Sequence, residues 1–402
     1  MWVEYYDLVR KSFNSINDIS NKENVKSIMF YEDSIESLEG IEECINLEYL
    51  DCHYMYLGQY NYYQGIFKQL EALDYINNCK KLIKIDCHDQ ELHSLKIFRK
   101  MSNLQYIVCS NNNVYTSTIF ENCVELRILM CERVKMRDLF GICNCINLRE
   151  LYCDNNGLNS LEGLQNCVKL EILSYNRCSI HTLVGLDCPS LLKLYCDHNE
   201  LNNLIGLDKC RNLLEIYVDD NKLISLEGLR ICEKLRKITC RYNKLENLDG
   251  VIECSDLQEF YCEHNKIISM SCISYLRNLT VLMCESNPIK TFNGIDKCLK
   301  LRKFYSDVNR IKAFNGIDKC LNINDINIKC LGNNVLSMLT GKKFKITDDI
   351  LKYDKSYIRM TIEQLNDYYE KLRGKEEILM KYNYDNFVES NYYFDNKEKL
   401  II

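Results

Sequence analysis

No stretch of the 402 residues holds about 18 consecutive apolar side chains, so nothing is long and greasy enough for a membrane-spanning helix. The start, Met1-Trp2-Val3-Glu4-Tyr5, lacks the basic stretch and apolar core of a secretory signal. Both absences lead to the expectation of an intracellular, cytoplasmic protein with no membrane contact. Positive excess is missing too: the net charge is -6 with interspersed signs, which gives no general attraction to polyphosphates and argues against a nucleic-acid partner. No glycine-rich phosphate loop follows a strand-like stretch, and residues 341–402 contain neither cysteine nor histidine to act as nucleophile or base. An enzyme is therefore not expected, nor is a cofactor. Two prolines (Pro189, Pro288) and two alanines (Ala72, Ala313) stand against many Asn, Ile, Lys and Tyr, a bias that reads as an AT-rich genome.

What is present is a repeat, and LLKLYCDHNELNNLIGLDKCRN, residues 191–212, is its clearest copy. Counting Leu191 as place 1, apolar residues fall at places 1, 4, 11, 14 and 17, cysteine at 6 and 20, asparagine at 9 and glycine at 16. The first coil begins at Val25 and the second at Leu47; the next begins at Leu82, 13 residues later than the usual 22. From there Leu104, Leu126, Leu148, Leu170, Leu191, Leu213, Leu235, Leu257, Leu279 and Leu301 open coils, and a last copy slipped by two places Ile328 and Cys330 in the pattern. About fourteen coils result, over residues 25–340.

Places 1, 4 and 6 alternate around a short strand, so each coil adds one strand to a parallel sheet and buries apolar side chains against the coils on either side. Cysteine at such a place behaves as a small buried hydrophobe. Stacked side-chain vectors run parallel, which disfavours disulfides and leaves reduced core thiols as the expectation. Asn at place 9 is suited to bonding backbone groups where the chain leaves the strand, giving a stacked amide ladder interrupted at Met55, Gln90, Val134 and Cys178. Those four coils should be the looser ones. Gly at place 16 suits a turn needing positive φ or close backbone approach.

The pattern LxxLxCxxNxLxxLxGLxxC resembles the leucine-rich repeat of the 22-residue class found in phosphatase-regulatory subunits and internalins, with cysteine at two usual leucine places. Its Asn- and Tyr-rich, cysteine-bearing form is also similar to leucine-rich repeat proteins of large DNA viruses, which would make the host cytoplasm its location. The resemblance implies an α/β repeat solenoid, curved, with a parallel sheet on the concave face and short helical or extended convex turns.

Helical caps are expected at both ends. Within residues 1–24, Trp2, Tyr5, Val9, Phe13 and Ile16 recur at three- and four-residue steps, as on one helical face. In the segment 341–402, Thr361 and Gln364 form a capping box opening a helix with Ile362, Leu365, Tyr369 and Leu372 on one face. The insertion near 54–74 carries Tyr54, Tyr56, Tyr60, Tyr62 and Tyr63, then Phe67, Leu70, Leu73 and Ile76 at helical spacing. It reads equally well as a docking loop or a neutral excursion.

Candidate binding residues occupy the outward places of the strands. Place 5 carries Tyr152, Tyr195, Tyr217, Tyr261 and Tyr305; place 7 carries Glu132, Asp154, Asp197, Asp219, Glu263, Glu285 and Asp307, broken by Asn176 and Arg241. With strands about 4.8 Å apart these form an aromatic and an acidic column. Together they suit a partner protein presenting Lys or Arg. Tyrosine also stacks along strands for structural reasons, and an acidic row is often a solvated face, so both readings stand at this point. Lys193, Glu215, Lys237 and Glu259 alternate at place 3, as cross-strand ion pairs would. The six histidines are scattered, and inward cysteine beside outward histidine at Cys52-His53 and Cys87-His88 prevents one ion from taking both, so no metal is expected. The function expected is a non-enzymatic protein-binding scaffold using the concave face. The alternative is an adaptor that recruits an enzyme through its terminal helices.

Overall fold

The computed structural model describes residues 1–30, 38–53, 73–90 and 92–306, residues 309 and 320, and the backbone of 60–61, 66–67 and 325–327. The chain forms two compact units: Met1–Leu201 with Ile205–Leu213, and Asn202–Leu204 with Leu214 onward. In the first unit, β3 (Val25–Met29), β4 (Tyr49–Asp51), the two-residue strands β5 (Tyr60–Asn61) and β6 (Ile66–Phe67), β7 (Lys84–Asp86), β8 (Tyr106–Val108), β9 (Ile128–Met130), β10 (Glu150–Tyr152), β11 (Ile172–Ser174) and β12 (Lys193–Tyr195) follow in order. The second contains β13 (Glu215–Tyr217), β14 (Lys237–Thr239), β15 (Glu259–Tyr261), β16 (Val281–Met283), β17 (Lys303–Tyr305) and β18 (Asp325–Asn327). From β3 onward, apart from β5 and β6, which pair only with each other, the strands within each unit run parallel in sequence order, place 4 opposite place 4: Leu151 on Leu173, Ile238 on Phe260.

This register explains the composition. Place-4 leucines and the place-6 and place-20 cysteines lie in the core, and the described cysteines are free thiols, all buried except Cys143 and Cys178. A buried thiol still needs an acceptor: Cys153 donates to Ser174 O (3.2 Å) and Cys262 to Met283 O (3.4 Å), each on the next strand. Tyr175 replaces cysteine at place 6 of its coil and is fully buried. Opposite the strands the chain turns through short 3-10 segments such as Glu227–Ile231 and Ser271–Tyr275.

The place-8 residue after most strands, for example Arg133, Asn155 and Tyr242, adopts positive φ near +54°. That turn points the place-9 amide inward. Asn243 Nδ2 donates to the carbonyls of Val218 (2.9 Å), Cys240 (3.1 Å) and Arg241 (3.0 Å), while its Oδ1 accepts from Leu223 N (2.9 Å). Asn112, Asn156, Asn265 and Asn287 repeat the arrangement. Two of the expected interruptions continue it. Gln90 is fully buried and donates to the carbonyls of His53 and His88, and Cys178 Sγ approaches Cys153 O at 3.6 Å. Val134 is buried and apolar, and Met55 lies outside the described residues.

Glycine at place 16 serves two purposes. Gly163, Gly185, Gly206 and Gly294 have positive φ, whereas a Cβ on Gly250 would stand 2.1 Å from the Leu226 carbonyl of the preceding coil.

Three expectations are corrected. Residues 1–24 form no α-helix, only the 3-10 turns Ile16–Asp18 and Lys22–Asn24: β1 (Trp2–Tyr5) and β2 (Arg10–Ser12) make an antiparallel hairpin, with β1 also antiparallel to β3 and Val3 opposite Ile28. Val3 and Tyr5 are buried while Trp2 and Val9 are exposed, an alternation of two rather than a helical face. The open edge of β3 presents unpaired amides and carbonyls, which a strand satisfies and a helix does not. Within the insertion, β5 and β6 pair antiparallel with Tyr60 opposite Phe67, so no helix begins at Phe67. The last described strand keeps the register of the others, with Ile326 opposite Phe304 where a slip of two would put Ile328, and Ile328 and Cys330 lie outside the described residues. The remainder of the insertion and the segment 341–402 lie outside the described residues.

Candidate functional site

In the second unit, strand register puts Tyr217, Thr239, Tyr261, Met283 and Tyr305 in one row across β13 to β17. In the first, Tyr152, Ser174 and Tyr195 are in a row across β10 to β12. The five tyrosines are half-buried, neither sealed in the core nor projecting freely. Three of the hydroxyls reach the glutamate two places earlier on the same strand face. Tyr152 donates to Glu150 (3.0 Å), Tyr217 to Glu215 (2.9 Å) and Tyr261 to Glu259 (3.1 Å). Burial, then the neighbouring Glu150, pushes the Tyr152 hydroxyl up to about 12, and burial with the Glu259 charge does the same for Tyr261.

Thr239 is the small residue in the row, and Lys237 fills the space it leaves. Its Nζ stands 5.5 Å from the centroid of Tyr217 and 5.3 Å from that of Tyr261, and pairs with Glu259 at 3.2 Å. Arg241 lies 5.9 Å from the Tyr261 centroid. The place-3 ion pair was legible in the sequence; the shared seat over two rings was not, because it depends on the threonine gap between them.

The acidic column is more committed than the sequence suggested. Asp154 Oδ1 accepts from Ser174 Oγ (2.6 Å) and from the backbone N of Asn176 (2.7 Å). Asn176 Oδ1 in turn accepts from Asp197 N (2.7 Å). Asp219 accepts from Arg241 N (2.7 Å) and Nε (2.8 Å). At Asp154, Asn176 and Asp219 place 7 thus binds coil to coil through an acceptor side chain, although Arg241 at the same place has none. Glu263 differs: its Oε2 is buried without a hydrogen-bond partner, and burial raises its carboxyl to about 7, with Glu285 and Asp219 adding to the rise. Glu285 sits in the same column, half-buried, and Asp307 lies outside the described residues.

In coils two and three the same columns hold other chemistry, Asp51 and Asp86 at place 5 with His53 and His88 at place 7. The expectation that the histidines do not gather fails here. The ligand atoms of His53, Asp86 and His88 lie within 4.8 Å of one another, the one such group among the described residues. The signal was visible as the repeated Asp-Cys-His at equal register in coils of unequal length.

No family model matches the chain, and no curated protein matches its sequence. Solved structures do match. An internalin (inlF) from Listeria monocytogenes is similar with a TM-score of 0.67 at 17% identity, over 77% of this chain and 91% of that one. The functional domain of InlJ from Listeria monocytogenes, described as including a cysteine ladder, gives 0.63 at 18% identity over 80% of this chain and 68% of that one. The plant peptide hormone receptor RGFR1, solved in complex with RGF2, gives 0.62 at 18% identity over 77% of this chain and about half, 52%, of the receptor. Likeness at such identities speaks for architecture, and with the parallel strands, the asparagine ladder and the short back turns it shows that this chain has the leucine-rich repeat fold.

Proposed function

We propose that the chain is a non-enzymatic scaffold that binds a partner protein on its strand face, with Tyr152, Tyr195, Tyr217, Tyr261 and Tyr305 as anchors and a Lys- or Arg-bearing segment as the bound element. The observation that supports this reading is Lys237: two tyrosine rings and Glu259 hold one ammonium group, with the contacts a bound cation would make. Carboxylates edge the rings from both sides. Glu150, Glu215 and Glu259 stand at place 3, while Asp154, Asp197, Asp219, Glu263 and Glu285 stand at place 7, with Asp307 extending that column in sequence. The solved complex of the plant receptor with its peptide supports a protein or peptide ligand for this fold. Half-buried aromatic side chains lose little conformational freedom on binding, which suits them as anchors.

Affinity capture with the full chain under reducing conditions, followed by mass spectrometry, identifies the partner. Changing Tyr195, Tyr217 and Tyr261 together to alanine should abolish its capture while thermal unfolding of the scaffold stays close to the original. Undiminished capture disposes of the assignment of this face. Lys237→Met vacates the seat over Tyr217 and Tyr261, and a basic peptide from the partner should then bind more tightly; weaker binding would argue against a cation at that position.

A further inference from the structure

The strands β4 and β7 run parallel with Asp51 opposite Asp86, so His53 and His88 leave the sheet in the same direction from the place beyond. Their rings stack, centroids 4.3 Å and planes 13° apart. Each ring is steadied by the carboxylate two residues upstream: His88 Nδ1 is 2.6 Å from Asp86 Oδ1, and His53 Nδ1 pairs with Asp51 Oδ1. Those carboxylates also accept from the histidine backbone amides at 3.3 and 3.4 Å, which fixes each Asp-x-His segment as a unit. The buried Gln90 holds the His53 carbonyl from the next coil. The four side chains are 14–29% exposed, reachable from solvent but largely out of it. Asp89 adds a carboxylate 3.6 Å from His88 Nε2.

We propose that this patch is a binding site for one divalent transition-metal ion of the zinc class, with His53, His88 and Asp86 as ligands and Asp51 as the carboxylate that orients His53. Two imidazole rings and two carboxylates converge in a half-buried place, a donor set of the kind a divalent transition-metal ion takes. Imidazole donors select zinc-like ions over magnesium or calcium, and three protein ligands leave a fourth position for water. A tetrahedral ion with bonds of about 2.1 Å holds its ligand atoms about 3.4 Å apart. The ligand atoms already lie within 4.8 Å of one another, and binding requires one ring to turn out of the stack so that the in-plane lone pairs of both converge on the ion. A carboxylate on the second nitrogen of a ligating imidazole is the usual outer-shell support for such ions. The adjacent thiols take no part: Cys52 and Cys87 are buried on the opposite side of the strands, and Cys52 Sγ donates to Asp86 O (3.3 Å).

The test is a Co2+ titration of the full chain, stripped with chelator and kept reduced with a phosphine. We expect one equivalent of Co2+ with d–d absorption and no thiolate-to-cobalt charge-transfer band, displaced by Zn2+. His53→Gln and His88→Gln should each weaken binding by at least about tenfold, and Asp51→Asn by roughly the same factor through the ring it orients. Absence of Co2+ binding, a thiolate band, or unchanged affinity in the double histidine variant overturns the proposal. A measurement on the unaltered protein covers misfolding of the variants. Zn2+ should protect His53 and His88, but not His198, from diethyl pyrocarbonate, as mapped by mass spectrometry; equal labelling with and without Zn2+ also overturns it.

Discussion

Asn243→Ala tests the interaction on which the repeat rests. The amide makes three donor contacts and one acceptor contact, and two of these, to Val218 O and Leu223 N, join it to the preceding coil. Removal takes from the Leu223 amide the acceptor it has in Asn243 Oδ1, since an alanine methyl offers nothing, while Val218 O keeps a longer contact from Asn221 Nδ2 at 3.3 Å. At about 1–3 kcal/mol for an unsatisfied buried group, a loss of about that size is expected. Asn243→Asp separates hydrogen bonding from size. One carboxylate oxygen still serves Leu223 N, but the other faces the carbonyls of Val218, Cys240 and Arg241, so at neutral pH it should be no better than alanine. Asn202→Ala is the control: that amide is exposed and should change stability by no more than about 0.5 kcal/mol. Urea unfolding followed by circular dichroism gives the differences, and hydrogen exchange across residues 213–257 should show the loss concentrated in the two coils that share the amide. Equal unfolding of the Asn243→Ala and Asn202→Ala proteins would refute the ladder as a source of stability.

Gly250→Ala forces a methyl to within 2.1 Å of the Leu226 carbonyl and should lose about 1–3 kcal/mol. Gly157→Ala, whose Cβ would meet nothing closer than Met136 O at 3.5 Å, should be neutral or stabilising by up to about 1 kcal/mol; thermal melts of the pair that do not differ contradict the packing argument. Glu263 has a folded-state pKa of about 7 against an ordinary 4.5, so folding takes up a proton between those values and stability falls as pH rises through that window. Glu263→Gln should flatten the fall, which is at most about 1.4 kcal/mol per pH unit, and an unaltered pH profile of urea midpoints removes Glu263 as its origin. Among the described cysteines, half-exposed Cys143 should alkylate first in the native protein, while Cys240 and Cys262, whose thiols burial holds well above their usual range, should react only on unfolding; early mass-spectrometric labelling of Cys262 would place it wrongly in the core.

Much of this fold was legible because a repeat states each requirement many times. One Asn at place 9 means little; Asn at that place in Asn243, Asn265 and Asn287 fixes where the chain leaves each strand, and the hydrogen bonds follow. Cysteine at place 6 could be assigned inward by the same alternation that sent Tyr152 and Tyr261 outward. Legibility failed where the repeat stops. At the first coil the sheet edge, absent from any sequence pattern, decides the outcome: β3 needs a hydrogen-bonding neighbour, and Trp2–Tyr5 with its exposed-buried alternation supplies one. The spacing of Trp2, Tyr5, Val9, Phe13 and Ile16 satisfied a helix only because hairpin residues can also fall three and four apart.

The columns expose a different limit. Place 7 was read for what it offers a partner, yet Asp154 and Asp219 are engaged by the backbone of the coil that follows. In those coils the acceptor has a structural use, and its charge is a by-product available for recognition. Place 5 carries no comparable demand, since Thr239, Met283 and Ser174 serve there as readily as tyrosine. The recurrence of tyrosine at a place that does not need it, beside a lysine seated between two of the rings, is therefore the stronger functional signal of the two columns. By the same reasoning His53 and His88 stand out: the acceptors at place 7 in other coils join neighbouring coils, and a pair of stacked imidazoles, each bound to its own aspartate, goes beyond that use.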